Sequence, residues 1–182
     1  MTEEPALTDW AYAAGFVDGE GCIAVVRSFT SSRGRYNYGV QVVVANVDRD
    51  VLEWMRSTWG GWVVAVSSPQ GRARPSWTWR CPTGLSATPF LTGIQPWLRI
   101  KRPQCLNALA MIDLLQRGRR TLGRAPLPQA WLDEQEKHYW IQRELNHRGK
   151  DLFVARPMHS PRKINRERAL AAKSGTLTPT PG

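Results

Sequence analysis

Two carboxylates, Asp18 and Glu20, lie among glycines in the stretch AAGFVDGEG, which follows an apolar run and precedes a β-branched one. If the same helix end of a second copy packs beside this one, the two Glu20 side chains meet and repel each other unless a cation lies between them. Mg²⁺ suits that position because it binds carboxylate, phosphate and water oxygens. Metal ions there would generate hydroxide and stabilise the attacking and leaving oxygens in the hydrolysis of a phosphodiester.

The helix that carries these acids has a surface suited to such pairing. Ala11, Gly15 and Gly19 recur every four residues, so one face is almost without side chains and another backbone can approach it closely. The opposite side carries the larger apolar residues that would anchor the helix to its own domain, namely Trp10, Ala13, Phe16 and Val17. The simplest partner for a helix with two packing faces is a second copy of the chain.

The overall charge favours a polyanion as the other partner. The 182 residues include 25 Lys and Arg against 15 Asp and Glu, and the first twenty residues hold five of the acids and no cation. Basic residues recur from Arg27 to Lys173, as on the surface of a folded domain, although a merely soluble basic protein is the alternative. An acidic N-terminus without a long apolar run predicts an intracellular protein with no membrane partner.

The elements that must position the acids follow from the residue patterns. A helix preceded by Thr8 as N-cap ends at the glycines, and a hairpin, a helix, a second hairpin and several helices follow. The order predicts an α+β fold with an αββαββα core, a four-stranded antiparallel sheet covered by helices on one face, and additional C-terminal helices. We expect the main domain to span residues 1–156, followed by a basic helix and disordered tail over residues 157–182.

The other face of the sheet is predicted to bind nucleic acid. Strand alternation places Ile23, Val25 and Phe29 toward the helices, and Arg27 on the same side at a rim or a bulge. The residues expected to face outward are Ala24, Val26, Ser28, Thr30, Asn37, Gly39, Gln41, Val43, Thr78 and Arg80, with Arg33, Arg35, Arg72 and Arg74 in the hairpin loops. Such side chains can contact base edges and phosphates in a major groove, although ordinary solvent-facing residues remain the alternative for each.

The nine tryptophans raise the alternative of base stacking on single strands. Five of them lie beside other apolar residues in helical patterns: Trp54, Trp59, Trp97, Trp131 and Trp140. For most of them the pattern favours packing in the core.

The stretch AAGFVDGEG resembles the LAGLIDADG motif of homing endonucleases. The matching positions are Gly15, Asp18, Gly19, Glu20 and Gly21. Ala13 replaces the usual leucine, and Glu20 stands where either acid is accepted. The stretch FLTGIQPWLRIKRPQCLNAL is similar to the corresponding part of single-motif, homodimeric members, and the similar element order covers Trp10 to Asn146. The chain contains one copy of the motif, so the resemblance implies a homodimer on a pseudo-palindromic double-stranded DNA target.

The resemblance also assigns roles to residues. It makes Glu20 the metal ligand with the Gly19 carbonyl beside it, and Asn46 the polar residue that orders water near the scissile phosphate. It makes Lys101 the basic residue that stabilises the transition state or the water network, with Arg99 and Arg102 as neighbouring alternatives. The dimer interface would include Ala11, Gly15, Asp18 and Gly19, with Asp18 in a structural role.

The activity implied by the resemblance is a Mg²⁺-dependent double-strand cut across the minor groove that leaves short 3′ overhangs. Mn²⁺ or Ca²⁺ is expected to substitute for Mg²⁺ in binding, and no small-molecule cofactor is expected. Members are commonly encoded in mobile introns or inteins, and a bacterial, phage or organellar compartment remains open. Two rival interpretations are a non-cleaving relative, such as an intron maturase or transcription factor, and a structural basic protein whose Glu20 merely closes a turn.

Overall fold

A computed structural model describes residues 4–30, 35–66, 75–122 and 127–147, without the side chains of residues 35, 119, 121 and 122. All of these residues lie within a compact unit that extends over Met1–Arg148. The predicted domain boundary after residue 156 and the predicted basic helix beyond it lie outside the described residues.

The described residues form five α-helices and four β-strands in the predicted order. The elements are α1 (Leu7–Glu20), β1 (Gly21–Thr30), β2 (Arg35–Asn46), α2 (Arg49–Trp59), β3 (Trp62–Val66), β4 (Ser76–Arg80), α3 (Thr88–Ile94), α4 (Arg102–Leu122) and α5 (Gln129–Leu145), with a 3₁₀ turn at Gly84–Ala87 before α3. The predicted α+β class and αββαββα core are therefore confirmed. Among these helices, none combines the length and the apolar character needed to cross a membrane.

The four strands form one antiparallel sheet in the order β1-β2-β4-β3. Gly21 pairs with Val44 in the first hairpin, and Val63 pairs with Trp79 in the second. Strand β4 also pairs with β2, from Val43 opposite Arg80 to Asn46 opposite Trp77. The two hairpins thus join into one surface, with β1 and β3 as its edges.

Helix α1 begins one residue before the predicted N-cap. Its N-cap is Ala6, whereas Thr8 lies inside the first turn, so the predicted Thr8 cap is wrong. Asp9 explains the difference, since its Oδ2 atom accepts a hydrogen bond from the Ala6 N–H group at 3.0 Å. The Asp9 carboxylate, at the third position of the helix, thus satisfies the N–H group of the N-cap residue, as the acid of a capping box does.

The core lies between the helices and one face of the sheet. Ile23, Val42 and Trp79 are fully buried on that face, as the alternation predicted for them. Phe29 follows the same alternation but is 41% exposed, because it lies near the far end of the hairpin, where it packs edge to face on Tyr36.

The tryptophans divide between the core and the surface. Trp54 and Trp59 pack against the buried cluster, and their rings meet at 5.0 Å between centroids. Trp97 and Trp140 are each 41% exposed, which the helical spacing did not predict. Trp97 lies in the turn after α3 and not in a helix, whereas Trp140 lies on α5. Spacing identifies a helix face but does not show where that face extends past its neighbours.

A buried polar network joins α4, α5 and the edge strand β1. The side-chain amides of Gln142 and Asn146 donate to the Ile23 carbonyl oxygen at 2.7 Å and 2.9 Å. These two bonds satisfy a backbone acceptor on the edge strand of the sheet. Asn107 donates to Gln142 Oε1, so its own oxygen accepts from His138 Nδ1 at 2.7 Å. Burial lowers the pKa of His138 from its ordinary value. The network therefore holds α5 on the sheet.

Candidate functional site

The turn from α1 into β1 fixes the position of Glu20. Glu20 is the last residue of the helix, and Gly21 is already the first residue of the strand. A side chain at Gly21 would place its Cβ atom 2.7 Å from the Val17 carbonyl oxygen, so a residue without Cβ is required for this abrupt change. The chain leaves the helix without a loop, and the carboxylate is held at the junction.

Asp18 fixes the junction to a distant part of the same chain. Its carboxylate is buried and accepts backbone N–H groups of Arg99 at 2.7 Å, Ile100 at 3.1 Å and Lys101 at 2.8 Å. Three N–H groups around one carboxylate make charge-assisted hydrogen bonds, which are stronger than neutral ones. The bend at residues 99–101, just before α4, is thereby attached to the end of α1.

Lys101 completes this attachment from the other side. Its ammonium group donates to the backbone carbonyls of Val17 at 2.8 Å and Asp18 at 2.5 Å, and the side chain is only 9% exposed. The last turn of α1 contains no basic residue of its own and ends in an acid, which is unfavourable at the negative end of the helix dipole. Lys101 supplies the missing positive charge there.

Asn46 ends β2 at the same end of the sheet. Because β1 begins at Gly21 opposite Val44, Asn46 lies two residues beyond that pair, next to the junction that carries Glu20. Its Oδ1 atom accepts from the Asp48 N–H group at 2.8 Å, and this local turn leads into α2. The fold therefore brings Glu20, Asn46 and Lys101 to one end of the sheet from three separate segments.

The donor set at this end suits a hard cation only if further ligands are added. Glu20 and Gly19 are exposed, and no hydrogen bond or ion pair of the Glu20 carboxylate occurs among the described residues. The carboxylate and a neighbouring carbonyl are both oxygen donors, as Mg²⁺ requires. No group of three His, Cys, Asp or Glu that could hold a metal occurs within the described ranges. Phosphate oxygens, water and a second copy would have to complete the coordination.

The small-residue face of α1 is open. Gly15 and Gly19 are exposed, and a Cβ atom added at either one would meet nothing within 4 Å. Ala11, one turn earlier, is partly exposed. Asp18 instead points into its own domain, toward residues 99–101. Its predicted place in an interface between two copies stays a prediction.

The outer face of the sheet is uncovered and free of acids in the part of the chain that is described. Its two inner strands present Asn37, Gln41 and Arg80 there, and β1 presents small side chains. Thr78 lies on this face but is only 6% exposed, so its predicted exposure is wrong. It occupies a central strand between Ala45 and Val64, which the sequence did not show because it did not give the strand order.

Four predicted contacts lie outside the described side chains. Arg33, Arg72 and Arg74 fall on loop residues that are not described, and of Arg35 only the backbone is described. Sequence reasoning also assigned no face to β3. Its outward residues Trp62, Val64 and Val66 are exposed on the same surface, and the alternating pattern WVVAV was the signal that could have identified them.

The fold has close parallels among solved structures. The homing endonuclease I-CvuI, determined in complex with its target in the presence of Ca²⁺, aligns over 94% of this chain and 98% of its own, with a TM-score of 0.62 and 21% identity. The chain has the LAGLIDADG homing endonuclease fold. The archaeal intron-encoded endonuclease I-Vdi141I, complexed with DNA, aligns over 93% of this chain and 98% of its own, with a TM-score of 0.63 and 16% identity.

Other proteins with the LAGLIDADG fold are about twice as long. The meganuclease I-SmaMI bound to uncleaveable DNA matches with a TM-score of 0.58 and 16% identity, over 78% of this chain but only 46% of its own length. No protein-family model matches the sequence, and the comparison with curated proteins found no match. The similarity therefore lies in the fold, at low sequence identity.

Proposed function

We propose that the chain is a site-specific homing endonuclease. As a homodimer it binds a long pseudo-palindromic double-stranded DNA target and hydrolyses one phosphodiester in each strand with Mg²⁺, leaving short 3′ overhangs. One observation carries the proposal. In a LAGLIDADG fold, an exposed Glu20 ends α1 at the edge of an uncovered sheet face that bears no described acid.

Several further findings support DNA as the substrate. The structures of I-CvuI and I-Vdi141I were determined with DNA, and those of I-CvuI in the presence of Ca²⁺ or Mg²⁺. The net charge of +10 favours association with a polyanion. The outer face offers Arg80 for guanine, and Asn37 and Gln41 for adenine.

Each residue of the candidate site has a distinct role in this proposal. Glu20 and the Gly19 carbonyl would hold the cation, whose chemistry there would be activation of water and stabilisation of the oxygens of the phosphodiester. Asp18 and Lys101 keep the helix end rigid, so that the Glu20 carboxylate stays in position. Asn46 orders water near the scissile phosphate. Lys101 also brings positive charge to the side on which negative charge develops.

The homodimer rests on the open face of α1 and on the length comparison. Two copies that pack through Gly15 and Gly19 would bring two Glu20 side chains together. I-SmaMI, about twice as long, is matched over about half its length, as expected if two such units make one enzyme. Measurement of the mass in solution tests this assembly: a monomer at micromolar concentration would contradict it.

The catalytic proposal is tested by selecting duplexes from a randomised library and measuring cleavage with Mg²⁺ or with a chelator. Glu20→Gln should retain binding and lose cutting. Glu144→Gln removes the same charge from an exposed position on α5 and serves as the control, which should cut like wild type. Undiminished cutting by Glu20→Gln would remove Glu20 from the mechanism. Binding without cutting by wild type would favour the maturase or transcription-factor alternative.

A further inference from the structure

The outer side of the edge strand β3 is apolar. Trp62, Val64 and Val66 alternate onto the outer face and are 42%, 38% and 47% exposed, respectively. Sheets usually protect an exposed edge with charged residues, because an uncharged apolar edge invites aggregation. Strand β3 contains no charged residue at all. Such a row of exposed apolar side chains points to a binding surface.

The surroundings of this row fit a nucleic acid rather than another apolar protein surface. Across the sheet, Trp62 lies opposite Arg80, and Val64 lies opposite Thr78. The described outer face as a whole carries a cation and polar groups but no carboxylate. Its charge is therefore complementary to a phosphate backbone, while the row itself requires an apolar feature within the bound partner.

A major groove presents one such feature. The C5-methyl group of thymine is the apolar group at the edge of its base pairs, and small apolar side chains contact it. Alternate residues of a strand lie about 6.6 Å apart, and base pairs are spaced by about 3.4 Å, so neighbouring residues of the row match positions about two base pairs apart. A strand that follows the groove would thus place Val64 and Val66 over two such positions.

We propose that Val64 and Val66, continued by Trp62, recognise C5-methyl groups of pyrimidines in the major groove. The half-site then carries methylated pyrimidines about two base pairs apart where β3 lies. Thymine and 5-methylcytosine present the same chemical group, so either base satisfies the row. The inference rests on the proposed function, because it assumes that duplex DNA lies on this face.

The test uses the full-length protein and a duplex enriched from a random library, bound with Ca²⁺ to prevent cutting. Each thymine is replaced in turn by deoxyuridine, which removes only the methyl group. At positions about two base pairs apart, affinity should fall about fourfold for each methyl lost, which is the value of one buried CH₂ group. In a second series, 5-methylcytosine should bind about fourfold more tightly than cytosine at the same positions.

Substitutions in the row test whether its side chains cause the preference for methylated pyrimidines. Val64→Ala should remove the preference for thymine over deoxyuridine at one position, and Val66→Ala at the other. Leu106→Ala is the control, because Leu106 is 49% exposed on α4, among the helices and not on the outer face of the sheet, and its replacement should leave every preference unchanged. Circular dichroism verifies that each variant is folded.

The outcomes separate this inference from the proposed function. Failure to enrich any duplex contradicts both. Tight binding that is indifferent to deoxyuridine at every position, or an enriched half-site with unmethylated G·C pairs where the row should lie, overturns the inference alone. A change in self-association caused by Val64→Ala, without any change in methyl preference, would also overturn it and would assign the row to a protein contact.

Discussion

Replacement of Asp18 by asparagine is the most direct test of how the helix end is held. The Asp18 carboxylate accepts three backbone N–H groups, from residues 99, 100 and 101. An asparagine has one acceptor oxygen, which can keep the two bonds that Oδ2 now makes. Its amide nitrogen would face the Lys101 N–H group, so that donor would lose its partner in a buried place. Asp18→Asn therefore removes one charge-assisted bond and weakens two others.

The expected loss in the free energy of unfolding follows from these changes in hydrogen bonding. Hydrogen bonds to charged groups contribute about 1.5–3 kcal/mol each, and a buried donor left without a partner costs about 1–3 kcal/mol. With two bonds partly kept, we expect the free energy of unfolding to fall by about 3 kcal/mol for Asp18→Asn. For a domain of this size, that is a decrease in Tm of about 6–12 °C.

Urea and thermal denaturation measure the loss, and amide hydrogen exchange locates it. The amides of Arg99, Ile100 and Lys101 should exchange faster in the variant, while the amides of the central strands should follow only the global loss. Glu20→Gln is the control two residues away. Its side chain is exposed, so its effect on stability should stay within about 0.5 kcal/mol. Equal stability of Asp18→Asn and wild type, with protected amides at the bend, would refute the reasoning.

Two glycine substitutions and a change of pH should also alter the stability of the protein in predictable directions. Gly15→Ala should raise the stability of the isolated chain by about 0.8–1 kcal/mol, because its Cβ meets nothing, whereas it should weaken the proposed dimer; a denaturation curve and a mass measurement separate the two effects. Gly93→Ala should cost about 1–3 kcal/mol, since its Cβ would overlap the Trp10 indole; an unchanged Tm would contradict that packing. Folding lowers the pKa of His138 below its ordinary value of 6.5. The contribution of His138 to the free energy of unfolding is therefore complete above pH 6.5 and is lost as the pH falls through the pKa of the folded state. Urea unfolding at about pH 8 and at about pH 5 measures this loss of stability. The loss should be the same in wild type and in His147→Asn, which replaces an exposed histidine, and smaller in His138→Asn.

The sequence predicted the elements well because their signals are local. The β-branched runs around Ile23 and Val42 alternate with period two, and glycines mark the ends of α1 and α2. Alternation also assigned most inward and outward residues correctly. An error arose where exposure depends on neighbours that are distant in sequence, as for Thr78 in a central strand.

The candidate site was only partly predictable for the same reason. A motif resemblance was enough to select Glu20, Asn46 and Lys101, and the fold brings them to one end of the sheet. The three bonds from the bend to Asp18 join residues more than eighty positions apart, and no local pattern encodes them. The cleavage experiment with Glu20→Gln tests the catalytic role of Glu20.

The attachment of α1 to the bend at Lys101 also affects the order of events during synthesis. A nascent chain that has emerged from the ribosome through β4 already has Glu20 and every strand of the sheet. It lacks the three N–H groups and the ammonium group that fix the helix end, because these come from residues 99–101. The carboxylate therefore reaches its final position only after residues 99–101 have been synthesised. Until then, the growing chain presents the outer face of the sheet without the fixed helix end that the proposed cleavage requires.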